Sequence, residues 1–185
     1  MKETFLEYII RLYQNVPAIV YLGLAIVLLI GVVLVFVLYG RNQGLRYSCR
    51  ILSVDYLALL FCSTVFFRKY SDRRGYDFQP FWSYDQNDLL YENIMNVVAF
   101  VPLGLLLGCA FKSMTWWKVM VIGMCVSLII ETMQFFFKRG FSEVDDVMHN
   151  TVGSLIGYGV YSLMRYGYER IGKRSVVVPE NCKLE

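Results

Sequence analysis

Charged residues are scarce in this sequence. Lys, Arg, Asp and Glu account for 18% of its 185 residues and leave a net charge of only +3 at pH 7. Long apolar runs divide the basic residues among several short segments, so there is no basic face to hold a nucleic acid. There is one histidine, His149. No second His or Cys stands at ligand spacing from it, which favours a plain interfacial role over a metal site. The five cysteines include no C-x-x-C pair, which argues against redox or zinc chemistry. A phosphate loop, a Ser-His-Asp arrangement and internal repeats are missing as well. The expectation is therefore no metal, no cofactor and no nucleic-acid partner.

Apolar side chains dominate: 57% of the chain is hydrophobic, 16% is aromatic, and the mean hydropathy is +0.47. This is the composition of a membrane protein. Runs long enough to cross a bilayer can be drawn at about 18–39, 51–67, 94–111, 117–137 and 147–164. The longest connection, 68–92, is too short for a soluble domain, so the expected architecture is all-α: one polytopic membrane domain, 1–185, a bundle of about five transmembrane helices. The first run is too long for a typical signal-peptide core and has no small-residue cleavage site, so it reads as retained. Ahead of it, Phe5, Ile9, Leu12 and Tyr13 fall near helical spacing. They suit either a short interfacial helix before Pro17 or a frayed polar end.

Orientation follows from the basic residues of the short loops. With the N-terminus outside, ten of the eighteen basic residues lie inside, among them Arg41, Arg46 and Arg50 in a loop without acids, and the basic tail after Met164. The predicted location is the cell membrane, N-terminus out and C-terminus cytoplasmic. Cys62, Cys109 and Cys125 then sit in apolar spans as packing residues, with Cys49 and Cys182 on the inner side. Asp55 lies close to Arg50, and pairing or snorkelling is expected of it.

Glu131 and Gln134 interrupt the fourth apolar run, WKVMVIGMCVSLIIETMQFFF. A charged side chain at the centre of a spanning helix costs roughly 2.5 to 3.5 kcal/mol, so an acid there calls for a partner or a task. In the predicted topology the third and fifth spans begin on the side where the fourth ends. Asn93 with Asn96, Glu131 with Gln134, and Asp146 with Asn150 are each three or four residues apart, so each pair shares a helix face. Ser127 joins the Glu131 face one turn deeper. The three faces can form a polar pocket opening outward, with Lys138 and Arg139 near its mouth. Gly104 with Gly108, and Gly153 with Gly157, form G-x-x-x-G pairs that let helices approach closely. Pro102 should kink the third span or free a carbonyl.

The segments NIMNVVAFVPLGLLLG, SLIIETMQ and RGFSEVDDVMHNTVGSLIGY, in that order, resemble the VanZ-like membrane proteins. Asn93, Asn96, Phe100, Pro102 and Gly104 fit the first block; Ser127, Glu131 and Gln134 the second; Arg139, Asp145, Asp146, Asn150, Gly153 and Gly157 the third. The resemblance covers about 93–158, and Arg74 with Pro80 and Phe81 looks similar to a further segment. It implies a polytopic envelope protein of the type linked to resistance to teicoplanin-like glycopeptides. The binding positions expected of the polar pocket are Asn93, Asn96, Ser127, Glu131, Gln134, Arg139, Asp145, Asp146 and Asn150.

Three mechanisms suit such a pocket. It could bind a membrane lipid, a lipid-linked envelope precursor or an antibiotic component, with Trp82, Tyr84 and Tyr91 at headgroup level. It could be a membrane enzyme with Glu131 and Asp146 as general acid and base on a lipid-linked or cell-wall substrate. It could be a proton-coupled transporter loaded at Glu131, although the lack of a repeat then calls for an oligomer. Structural roles stand beside these: Glu131 bonded to Asn93, Asn96 or Asn150, Gln134 as a hydrogen-bonding residue, and Asp145 and Asp146 favouring a helix start.

Overall fold

The computed structural model of the chain describes Ile26, Ile30 and residues 43–68, 76–77, 90–139 and 142–174. Apart from Ile26 and Ile30, the expected span at 18–39 lies outside these residues. So do the segment before Pro17, Arg74, Pro80 to Tyr84, and Cys182.

Four helices carry the described fold. Helix α1 is Gln43–Phe66 and closes on a π turn, Cys62–Phe66. Helices α2, Leu90–Ala110, α3, Trp116–Phe137, and α4, Val144–Arg174, follow. Two short segments, β1 (Tyr76–Asp77) and β2 (Ser142–Glu143), pair in parallel and tie the connection after α1 to the start of α4.

Among the described residues three helices, not the expected set, are long and apolar enough to cross a membrane: α1, Glu92–Ala110 of α2, and α3. Helix α4 is 31 residues long but does not join them. Its exposed stripe, Met148, Val152, Ile156, Val160 and Leu163, is apolar. Its opposite face holds Asn150, Gly153, Ser154 and Gly157, all buried, and these lower its overall hydropathy. The small and polar residues are hidden by packing, so a composition averaged around the helix understates its outward face.

Close approach is the reason for the glycines. A Cβ on Gly104 would overlap the Ser154 carbonyl oxygen, one on Gly153 the Val97 carbonyl oxygen, and one on Gly157 the Val101 carbonyl oxygen. Helices α2 and α4 therefore run backbone against backbone. Helix α2 continues unbroken through Pro102. The shared core gathers Leu60 and Val65 from α1, Phe100, Leu103 and Leu107 from α2, and Val119 and Ile130 from α3. The Tyr158 hydroxyl donates to the Met114 carbonyl at 3.1 Å and fixes α4 to the turn between α2 and α3.

The described part of α1 already includes Gln43, ahead of the expected 51, so Arg46 and Arg50 are helical and not loop residues. Arg50 has local work there. Its Nε donates to the Ala110 carbonyl at the end of α2 (3.2 Å), and its guanidinium lies over the Tyr47 and Phe111 rings at 4.7 and 5.0 Å. Satisfying a terminal carbonyl and two ring faces replaces the expected Asp55 pairing. Asp55 Oδ1 is buried with no hydrogen-bond partner among the described residues. Farther along the α1–α2 contact, the Tyr56 hydroxyl donates to the Ala99 carbonyl at 2.6 Å, and the Cys49 and Cys109 thiols are hydrogen-bonded to each other.

Candidate functional site

Ser127, Glu131 and Gln134 follow one another at four and three residues along α3, and all three are buried. Leu128, Ile129, Phe135 and Phe136, between and beside them, are exposed. A helix in lipid turns such apolar residues outward and its polar stripe toward its neighbours. The polar face of α3 meets α4: Asn150 Nδ2 donates to Ser127 Oγ at 2.8 Å. Helix α2 meets α4 one turn nearer the helix start, where Asn96 Nδ2 donates to Asp146 Oδ1 at 2.6 Å. The three expected helix faces thus converge, with α4 as their common partner.

Glu131 is 4% exposed. Its Oε2 accepts a hydrogen bond from the backbone N–H of Glu143 at 3.3 Å, in β2 just before α4. Asn96 donates to Asp146 and Asn150 to Ser127, while the Glu143 N–H is the donor to Glu131 among the described residues. The turn that brings Glu143 back is set at the end of α3. Lys138 takes a left-handed conformation, φ 53° and ψ 48°. The Lys138 N–H reaches the Phe135 carbonyl at 3.3 Å and the Arg139 N–H reaches the Gln134 carbonyl at 2.8 Å. This double closure is a Schellman cap built on a lysine in place of glycine.

Gln134 joins the site to α1. Its Nε2 donates to the Thr64 carbonyl at 3.1 Å, within the π turn, where helix-end carbonyls lack helical partners. Arg139 Nη1 donates to the Arg68 carbonyl, which fixes the segment after α1 beside the end of α3.

Arg68 is the residue the sequence did not single out. It lies close enough to act electrostatically on both Glu131 and Asp146, and those two acids also act on each other. Glu92 and Asp145 act on Asp146 as well. The site is therefore acidic, with Arg68 the cation that acts on both central carboxyls. Asp145 and Asp146 stand in the first turn of α4, where the helix dipole favours negative charge. Asp145 is fully buried, Asn93 is buried in the first turn of α2, and Asn96 is half-buried.

Several polar atoms of this cluster have no partner among the described residues. Gln134 Oε1, Asn150 Oδ1 and Arg139 Nε are buried and without a hydrogen bond among the described residues. Buried polar atoms are nearly always satisfied, so these two acceptors call for a donor from outside the described residues. Among the described residues no group of three His, Cys, Asp or Glu side chains could hold a metal ion. The pairing of β1 with β2 and the contribution of Arg68 depend on long-range contacts, which is why residue spacing did not reveal them.

The family model described as VanZ/LLP1 matches residues 18–165. Protein VanZ of Enterococcus faecium is 39% identical over 72 residues, which is 39% of this chain and 45% of that protein. The match thus spans under half of that relative's length. No solved structure matches.

Proposed function

The chain belongs to the VanZ/LLP1 family, and we propose that it works in the bacterial cell membrane by holding a polar envelope ligand at the Glu131–Asp146 cluster. The ligand class is a hydroxyl- or amine-bearing headgroup: an envelope lipid, a lipid-linked precursor or a glycopeptide component. The observation that carries this reading is the pair of orphan buried acceptors, Gln134 Oε1 and Asn150 Oδ1, on the same helix faces as Glu131 and Asp146. Acceptors and carboxyls together select donor-rich groups, and Arg139 Nε supplies one donor in return. The protein's role is then to lower susceptibility to teicoplanin-type antibiotics. The N-terminus lies outside and the C-terminus in the cytoplasm, which opens the cluster toward the outer surface where such ligands occur.

A second reading is favoured by the burial of Glu131 near enough to Asp146 for the two carboxyls to act on each other electrostatically. Two interacting carboxyls in a buried site can divide acid and base roles, and Arg68 would steady the charged member. The substrate would be lipid-linked or part of the cell wall.

The test is susceptibility of a Gram-positive host to teicoplanin and vancomycin. The host carries empty vector, the wild-type chain or Glu131→Gln, with membrane abundance matched by immunoblot. Protection by the wild type that Glu131→Gln abolishes at equal abundance supports the reading. Absence of protection by the wild type refutes the resistance role, and equal protection by both refutes the role of Glu131. Glu131→Asp separates the two mechanisms, since a binding carboxylate tolerates a shortened stem better than a positioned proton donor does.

A further inference from the structure

The opposite end of the bundle holds a second polar feature, and it shares no residue with the carboxyl cluster. A cavity of about 710 Å³ lies among Leu45, Arg46, Cys109, Lys112, Tyr161 and Arg165, with Tyr168 and Glu169 completing its wall. Three elements supply its cations. Arg46 is in the first turn of α1, Lys112 just beyond the end of α2, and Arg165 in the last third of α4.

The depth of this cavity follows from helix geometry. Asp146 and Arg165 are nineteen residues apart on one continuous helix, α4. At about 1.5 Å per residue that is roughly 28 Å, close to the thickness of a bilayer's hydrocarbon core. The cavity therefore stands at the other membrane surface from Glu131. The walls have matching chemistry. Tyr161 and Tyr168 place amphipathic rings at headgroup depth, while Leu45, 63% exposed, and Cys109 add apolar surface to the wall.

The charge balance has one sign. Of the four charged side chains in the wall, three are cationic, and the single acid, Glu169, is already bonded to Arg165 at 2.8 Å. Arg46 and Lys112 have no ion-pair partner among the described residues. Like charges gathered at one cavity repel, and an anion between them relieves that repulsion. Arg50, directed to the Ala110 carbonyl nearby, adds to the positive field.

We infer that this cavity is a binding site for the phosphate headgroup of an anionic phospholipid, with Arg46, Lys112 and Arg165 holding the phosphate. Free phosphate offers the same anionic chemistry, but it has no use for apolar walls at the level where acyl chains begin. Basic pockets between membrane helices suit lipid headgroups for this reason. The bound lipid would bridge α1, α2 and α4, two of which, α2 and α4, also carry residues of the carboxyl cluster at the other end.

The test uses the purified full-length chain in neutral detergent, with the unfolding midpoint followed as phosphatidylglycerol, phosphatidylcholine or inorganic phosphate is added. Phosphatidylglycerol is expected to raise the midpoint well above the effect of the other two. Lys112→Gln should weaken apparent affinity for phosphatidylglycerol about fivefold, the usual worth of one cation near an anionic lipid surface. The triple variant Arg46→Gln, Lys112→Gln, Arg165→Gln should weaken it more than tenfold. Lys118→Gln removes a cation from the same membrane end but outside the cavity, and should leave it unchanged. Equal shifts by the two lipids overturn the site, as does a full response to inorganic phosphate. An equal loss in Lys118→Gln does the same by showing only diffuse attraction. If the triple variant does not fold, unchanged affinity in Lys112→Gln is decisive against the site.

Discussion

Replacing Gly157 by alanine should separate α2 from α4, and the neighbouring Gly159 supplies an internal control. A Cβ at Gly157 would lie 2.8 Å from the Leu105 nitrogen and 2.9 Å from the Val101 carbonyl carbon, with the Val101 oxygen nearer still. All three are backbone atoms, so no side chain can rotate away. Ordinary contact needs about 3.5 Å or more and the Val101 oxygen would lie well inside that distance, so the helices must part by roughly 1.5 Å, and a gap of even about 1 Å already forfeits about half of each neighbouring dispersion contact. Overpacking of this kind costs about 1 to 3 kcal/mol. A Cβ at Gly159 meets nothing within 4 Å. Both substitutions carry the same helix-propensity gain from Gly to Ala, so the difference between them isolates the packing term. The assay is unfolding in mixed micelles at rising fractions of denaturing detergent, read by loss of helical signal. Gly157→Ala should be less stable than Gly159→Ala by about 1 to 3 kcal/mol. Equal stabilities would refute the close helix contact.

Other outcomes follow from the same contacts. Lys138→Gly should stabilise the chain by about 1 kcal/mol, because the left-handed cap then loses its Cβ conflict; a loss of stability in the same unfolding assay would count against the cap. Tyr158→Phe removes the bond to the Met114 carbonyl and should destabilise by about 0.5 to 1.5 kcal/mol, whereas no change would make that bond idle. Mild oxidation should form an intramolecular Cys49–Cys109 disulfide detectable by peptide mass mapping, since the two thiols are already in hydrogen-bond contact; no cross-link would contradict the α1–α2 register.

Much of the site was readable from spacing alone. Ser127, Glu131 and Gln134 recur at four and three residues, and that period put them on one buried face. The paired glycines foretold the α2–α4 contact because a missing Cβ has few other uses in a long apolar helix. Arg50 and Asp55 show where such reading stops. They are five residues apart in sequence, but a carbonyl sixty residues away and two aromatic rings engage Arg50 instead. The start of α1 was missed because arginines near a membrane surface look like loop residues, although their long stems suit a helix end equally well. Arg68 and the Glu143 N–H reach the site only through the fold, and no local pattern marks them. Helix α4 shows the limit of hydropathy: its inward Gly, Ser and Asn residues dilute an outward stripe that is consistently apolar.

The central claim is that Glu131 is kept for a ligand and not for holding helices together. Its one hydrogen bond among the described residues, from the Glu143 N–H, can pass unchanged to a glutamine oxygen of the same shape. Glutamine also removes a buried carboxyl beside Asp146, a group that is expensive to keep within a membrane. The most direct measurement is therefore the unfolding free energy of Glu131→Gln against the wild type in the same micelles. Stability equal to or above the wild type, together with lost antibiotic protection, is the predicted result. A drop of about 2 kcal/mol or more, the scale of breaking a buried polar network, would make Glu131 a structural anchor and contradict the account.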